Sequence, residues 1–310
     1  MTLDTIIVGG GPAGLSAALI LGRARRRVLL FDAGSPRNQC SLSMHGYLTR
    51  DGLSPAEFLR ISREQLAPYS TVELRDEEVA DVDARDGGFT VTLAGGRRCD
   101  SRTLLLATGV VDAVPVIEGI ERFYGRSVHH CPYCDGWEHR DAPIAVYGCG
   151  DATARYALAM TVWTRDIVLC SNGHPGISDD QLERLAEAGI AVRDERIVRL
   201  EGTGDRLERI VLGGAPPIDR SAIFFHTSQH QRSGLPAKLG CHFTEDGAVA
   251  TGKAETTDVP GLFVAGDASR ESQLVIVAAA EGAQAAVAIN ALLVRLDLSA
   301  AAQGQLSKAQ

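Results

Sequence analysis

Apolar positions in this chain fall in short unbroken runs that stop at glycines. Residues 5–8 read Thr-Ile-Ile-Val and end at Gly9-Gly10-Gly11, and residues 15–21 follow as an Ala- and Leu-rich stretch without alternation. A strand covered on both faces needs no polar alternate, so this order predicts strand, tight turn and helix. Residues 28–31 form a second aliphatic run that closes at Asp32, which completes a βαβ unit. The same order returns at 144–147, 148–150, a helix through about 163 and a strand at 167–170. The pattern therefore predicts an α/β chain with two Rossmann-like dinucleotide-binding halves.

Between the halves the pattern predicts a helix at 56–66 and strands at 72–74, 89–93 and 103–107, with Gly87-Gly88 and Gly95-Gly96 as turns. Pro115 and Gly119 mark a crossing between domains, and strands follow at 223–226 and 262–265, separated by a loop with Pro236. Residues 274–294 are long and apolar enough to span a bilayer, but Glu281, Gln284 and Asn290 interrupt them, so a buried helix is expected. Residues 299–310 read as a flexible tail.

Composition narrows the function classes. The 310 residues carry 31 basic and 39 acidic side chains, a net charge of −8, which argues against nucleic-acid and anionic-membrane partners. Seven cysteines are too few and too scattered for a secreted disulfide scaffold, and Asp4 stands where an export signal would be basic, so a cytoplasmic protein is expected.

Gly9-x-Gly11-x-x-Gly14 follows a strand and opens a helix, and Asp32 ends the next strand where a ribose-binding carboxylate belongs. Such a turn brings backbone close to a pyrophosphate and offers it free helix N–H groups. The second turn, Gly148-Cys149-Gly150-Asp151-Ala152-Thr153, has Thr in place of the last small residue and is a weaker candidate for NAD(P).

Chemistry concentrates at Cys131-Pro132-Tyr133-Cys134. This spacing allows an intramolecular disulfide, and Pro suits the first helical position after Cys131, a setting that favours a reactive thiolate. Half of a zinc site with His129, His130 or His139 stays open, as do two buried free thiols; no metal is expected.

The run GRSVHHCPYCDGWEHRDAPIAVYGCG at 125–150 resembles the low-molecular-weight thioredoxin reductase-like family of FAD-dependent pyridine nucleotide-disulfide oxidoreductases. TDVPGLFVAGD at 257–267 and Ala107-Thr108-Gly109 match two further elements of that family, so the resemblance covers nearly the whole chain. It implies FAD bound through Gly9, Gly11, Gly14, Asp32, Thr108, Gly109, Gly266 and Asp267, with Asn38, Gln39 and His45 in a polar stretch covering the flavin and Gln273 near it. It implies Cys134 as the thiol that faces the flavin, Cys131 as the thiol that meets the external substrate, and Asp135 as the proton-shuttling acid. It implies an FAD domain from 1–113 and 239–298, an NAD(P)-type domain at 114–238 carrying the Cys pair, and a homodimer. The partner it implies is a thioredoxin-like protein or a small-molecule dithiol.

The chain departs from the reductases in places. The paired arginines that grip a 2′-phosphate are missing after the strand at 167–170, where Ser171-Asn172-Gly173-His174 follows, and no acidic residue closes that strand. Residues 223–230 read IFFHTSQH, with His226 and His230 read as packed or solvated, and 270–275 read RESQLV, with only Gln273 comparable. These features weigh against NADPH and bring in the related oxygen-dependent dithiol oxidases of the gliotoxin and holomycin type, although Asp135 after Cys134 is reductase-like. A non-catalytic flavin redox sensor is the reading from another class.

Overall fold

The computed structural model describes residues 3–226, 228–270 and 272–308. The chain divides into two compact units, one of 1–39, 56–111 and 229–310, the other of Cys40–Pro55 and Asp112–Ser228.

In the first unit Leu3–Val8 pairs in parallel with Val28–Phe31 on one side and Arg98–Leu106 on the other, and Val72–Arg75 extends the sheet beyond Val28–Phe31. The upper end of Arg98–Leu106 also takes Leu262–Val264 in parallel, whereas its lower end pairs antiparallel with Gly88–Leu93, which pairs with Val79–Arg85. Both faces are covered, which is why Ile6, Ile7, Leu104 and Leu105 are fully buried and the runs carry no polar alternates. One face packs on the Pro12–Arg23 helix and on Val275–Lys308 through Ala17, Ala18, Ala285, Ala286 and Ile289. The long apolar helix is thus packed into a protein core along the side that these residues define, as its alanines led one to expect.

Small residues let those two helices touch. A Cβ on Gly282 would lie 1.9 Å from the Ala13 carbonyl oxygen, so the backbones are in contact there. Gly282→Ala is expected to destabilise the protein by about 3 kcal/mol, because overpacking has no side chain to displace, only backbone. Thermal unfolding measures it, and a melting temperature unchanged from the wild type would contradict this close crossing.

The second unit holds a five-stranded parallel sheet in the order Ala191–Arg193, Ile167–Cys170, Ile144–Tyr147, Ala222–Phe225, Val128–His129. Helix Gly150–Met160 packs on one face with Asp179–Glu187. An antiparallel meander of Ile197–Thr203, Arg206–Leu212 and Ile218–Asp219 covers the other.

Three expectations change. The return to the first unit falls at Ser228–Gln229 rather than at 238–239, because Leu235 and Cys241 are buried in the first unit's core with Ile6, Phe31 and Val264. Residues 40–55, read as part of the FAD domain, fold with the second unit; a Cβ on Gly125 would lie 2.8 Å from the Cys40 carbonyl carbon. The expected tail is helical through Lys308, since a run of Ala, Gln and Leu has high helix propensity; residues 309–310 lie outside the described residues.

Candidate active site

Cys131 and Cys134 are joined in a disulfide, so both sulfurs are spent on each other and the zinc and free-thiol readings fall away. Cys131 caps the one-turn helix Pro132–Asp135, whose Pro stands at the first helical position as expected. The backbone N–H of Cys134 donates to the Cys131 sulfur at 3.2 Å. Once the bond is reduced, that donor stabilises a Cys131 thiolate, the form that attacks disulfides.

The pair sits among aromatics and histidines. Tyr133 is 78% exposed and Trp137 64%, so the one-turn helix and the turn after it present two large rings to solvent. Tyr133 meets Trp163 edge-on at 5.6 Å, and the Arg140 guanidinium lies 4.3 Å over Trp137. Asp135 Oδ1 lies 3.3 Å from Nδ1 of buried His129, whose Nε2 is 3.0 Å from Nε2 of His139. Burial and the neighbouring His129 pull the His139 pKa down to about 4, with Asp135 opposing, so His139 is neutral at physiological pH. Tyr156 donates to the His130 carbonyl at 3.2 Å, and burial holds its phenol well above the ordinary range.

His45 is expected with Asn38 and Gln39 over the flavin. It belongs to the Cys40–Pro55 segment of the second unit, where its ring nitrogens lie 3.6 Å from Asp51 and 3.5 Å from Glu138. Asn38 is half-buried and Gln39 exposed, both in the first unit.

The first unit brings the remaining flavin candidates to one end of its sheet, and they fit FAD. Gly9 has φ +113°, and a Cβ there would lie 2.2 Å from the Ala107 carbonyl oxygen, which ties the glycine turn to Ala107-Thr108-Gly109. Around Gly11 a Cβ would meet nothing within 4 Å, leaving room for a phosphate to approach the backbone. The Thr108 hydroxyl is buried without a hydrogen-bond partner in the protein, the mark of a group that awaits a ligand. Asp32 lies against Gly10, accepts from the Gly34 N–H at 3.0 Å and pairs with Arg63. Gly266, at φ +82°, sits against Ala13 and donates its N–H to Glu281 at 2.8 Å. Burial raises the Glu281 pKa, and Arg270 at 2.8 Å opposes the rise.

Arg37 joins this group, although nothing in the sequence reading singled it out. Its Nη1 donates to Asp267 at 2.8 Å and to the Gln273 side-chain carbonyl at 2.6 Å, and Gln273 in turn donates to Gln229. The signal was its place beside Asn38 in the polar stretch.

In the second unit the glycine turn is covered by its own chain. The Gly150 N–H, which would face a pyrophosphate, donates to the Pro175 carbonyl at 2.7 Å, and Asp151 accepts from the Ser178 N–H at 2.8 Å. Thr153 fills the space under Gly148, where a Cβ would lie 2.7 Å from its hydroxyl. Arg193, at the end of the neighbouring strand, is held in a fork by Glu195 at 2.7 and 3.0 Å. His226 is exposed and meets Tyr156 edge-on at 6.0 Å; His230 is exposed. Of the cysteines outside the motif, Cys170 and Cys241 are buried, Cys40 and Cys149 are exposed and Cys99 is half-buried. Burial pushes the Cys170 thiol up to about 12, which leaves it inert.

Known proteins are similar to this chain over most of its length. The profile described as pyridine nucleotide-disulphide oxidoreductase matches residues 3–282. Thioredoxin reductase aclD of Aspergillus oryzae is 30% identical, across 92% of this chain and 95% of its own. The crystal structure of HlmI superposes with a TM-score of 0.95 at 36% identity, covering 100% of this chain and 98% of its own. An oxidoreductase from Agrobacterium tumefaciens superposes with a TM-score of 0.87 at 35% identity, covering 95% and 99%. With a match over most of its length, a disulfide at the expected cysteines and a dinucleotide turn in each unit, this chain is an FAD-dependent thiol-disulfide oxidoreductase and belongs to the pyridine nucleotide-disulphide oxidoreductase family.

Proposed function

We propose that the enzyme exchanges electrons with an external dithiol through Cys131, with Cys134 as the flavin-facing thiol and Asp135 as the acid. The observation that carries this is the half-buried Cys131–Cys134 disulfide at the start of a one-turn helix, with a backbone donor on the Cys131 sulfur. FAD, bound through Gly9, Gly11, Gly14, Asp32, Thr108, Gly109, Gly266 and Asp267, supplies the two-electron partner for the dithiol couple. An external thiolate attacks Cys131, the disulfide opens, and the electron pair passes to Cys134, whose sulfur takes a proton from Asp135. The exposed rings of Tyr133 and Trp137 suit an apolar or aromatic dithiol better than a purely polar one. The protein works as a cytoplasmic homodimer in this reading.

A second reading, in which oxygen rather than a pyridine nucleotide balances the electrons, rests on the covered turn of the second unit. Gly150 and Asp151 spend their polar groups on Pro175 and Ser178, and Arg193 spends its fork on Glu195, so phosphate and 2′-phosphate would each have to displace an internal contact. In that direction the enzyme forms a disulfide in its substrate.

Anaerobic titration of the purified yellow enzyme with dithiothreitol, NADH and NADPH in turn tests both. Bleaching of the flavin band by the dithiol, with colour restored by air, is expected. Failure of the dithiol to bleach it overturns the exchange through Cys131. Rapid bleaching by a pyridine nucleotide overturns the oxygen-dependent reading and leaves a reductase.

A further inference from the structure

His129, His139 and Asp135 form a line of contacts beside the disulfide. His129 is 5% exposed, and its ring packs against His139 at 4.9 Å and Phe224 at 5.3 Å between centroids. Its Nε2 lies 3.1 Å from the Arg126 carbonyl oxygen and 3.0 Å from His139 Nε2. A carbonyl oxygen only accepts, so His129 Nε2 carries hydrogen, and neutral His139 shares it as a second acceptor. A singly protonated His129 then turns a bare Nδ1 toward the Asp135 carboxyl oxygen 3.3 Å away. Two lone pairs at that distance repel, and 3.3 Å leaves no room for a water between them; the contact is favourable only with a proton between the two groups.

We propose that His129 and Asp135 hold one proton between them beside the disulfide, and that His129 is the positioning residue that keeps Asp135 a donor. This rests on the reading of Asp135 as the acid. The other titratable groups nearby are engaged elsewhere: Tyr156 donates to the His130 carbonyl, and His130 itself contacts Tyr124 at 3.2 Å and Asp112 at 3.9 Å. The Arg126 guanidinium faces Asp205 at 3.7 Å.

The exchange then balances as follows. A substrate thiolate forms a bond to the Cys131 sulfur, the Cys131–Cys134 bond breaks, and its electron pair stays on Cys134, which takes the proton held by the Asp135–His129 pair. The second substrate thiol gives its proton to that pair and attacks its own mixed disulfide. The substrate leaves oxidised, with Cys131 a thiolate and Cys134 a thiol. Both electrons come from the substrate and both rest on the cysteines.

Single-turnover reduction of the disulfide in the FAD-loaded enzyme by dithiothreitol, followed anaerobically by the oxidised dithiothreitol released across the pH range, tests this. His129→Gln keeps a donor for the Arg126 carbonyl but removes Nδ1, and is expected to slow the step about 100-fold and to flatten its pH profile. His129→Asn, which keeps a polar group near Nδ1, recovers part of the rate. Asp135→Asn slows the step to a similar degree, and adding His129→Gln to it costs less than about a further twofold, because the pair acts as one unit. Losses that multiply in the double variant, or a His129→Gln rate and profile equal to the wild type beside a slowed Asp135→Asn, overturn the shared proton alone. An unslowed Asp135→Asn overturns the acid assignment itself. Should the buried His129 variants not fold, half-buried His139→Ala decides, since it removes the second acceptor of the His129 Nε2 hydrogen: a slowed step with an altered pH profile supports the shared proton, and a wild-type profile overturns it.

Discussion

Cys134→Ser is expected to lower dithiol turnover by at least about 1,000-fold while FAD stays bound at wild-type stoichiometry. An alcohol cannot form the internal disulfide, and the exchange needs a sulfur leaving group on Cys131. The flavin candidates other than His45 lie in the first unit and Cys134 in the second, so the substitution removes chemistry without touching the candidates expected to hold the cofactor. Cys131→Ser is equally silent in turnover but differs in trapping: Cys134→Ser leaves Cys131, with the Cys134 N–H beside it, free to form a stable mixed disulfide with an oxidised substrate. Steady-state kinetics, flavin absorbance and mass spectrometry of the trapped adduct measure all three. Turnover in Cys134→Ser within about tenfold of the wild type would remove it from the pathway. A wild-type protein that exchanges once per chain and then stops would instead be a sensor, since a sensor and an enzyme share this disulfide and differ only in regeneration.

The sequence exposes those features that backbone geometry dictates. Gly9 is legible because its φ of +113° and the 2.2 Å approach of the Ala107 carbonyl admit no side chain, and the buried runs 5–8, 28–31 and 167–170 are legible because strands covered on both faces drop polar alternation. The spacing of Cys131, Pro132 and Cys134 allows a disulfide at a helix start, but it left a zinc half-site and two free thiols open until the surrounding motif was weighed. Contacts between distant segments carry no such local signature. Nothing in residues 37–39 says that Arg37 reaches Asp267, 230 positions away. The histidines at 129 and 139 look like metal ligands in sequence, and only the fold turns one toward Asp135 and the other toward its ring. The edge strand Gln229–Gln231 and the meander at 197–219 escaped because they are short or irregular in pairing, with register shifts between Ile197 and Arg199 and between Glu201 and Gly202. The covered turn at Gly150 was half legible: missing arginines pointed away from NADPH, while the Pro175 carbonyl that occupies its N–H is a tertiary fact.

Asp267→Ala is expected to weaken FAD binding by about 100-fold, because a hydrogen bond to a charged group contributes about 1.5–3 kcal/mol. Two effects act together. The carboxylate offered to the cofactor's hydroxyls is lost, and Arg37, half of whose Nη1 contact is to Asp267 at 2.8 Å, keeps only the neutral Gln273 carbonyl among these two partners. Gly266 and its N–H bond to Glu281 are untouched, so the turn and the sheet beneath it stay in place. Fluorescence titration of the apoprotein with FAD measures the change, and circular dichroism confirms the fold. Asp267→Asn separates the two effects, since it keeps an acceptor for Arg37 and for a hydroxyl but drops the charge; it is expected to fall between the wild type and alanine. Equal affinity in Asp267→Ala and the wild type would move the cofactor's polar contacts to the buried, unpartnered hydroxyl of Thr108 and the open backbone at Gly11. The Gly-Asp pair would then serve the fold, with Asp267 acting as the anchor for Arg37.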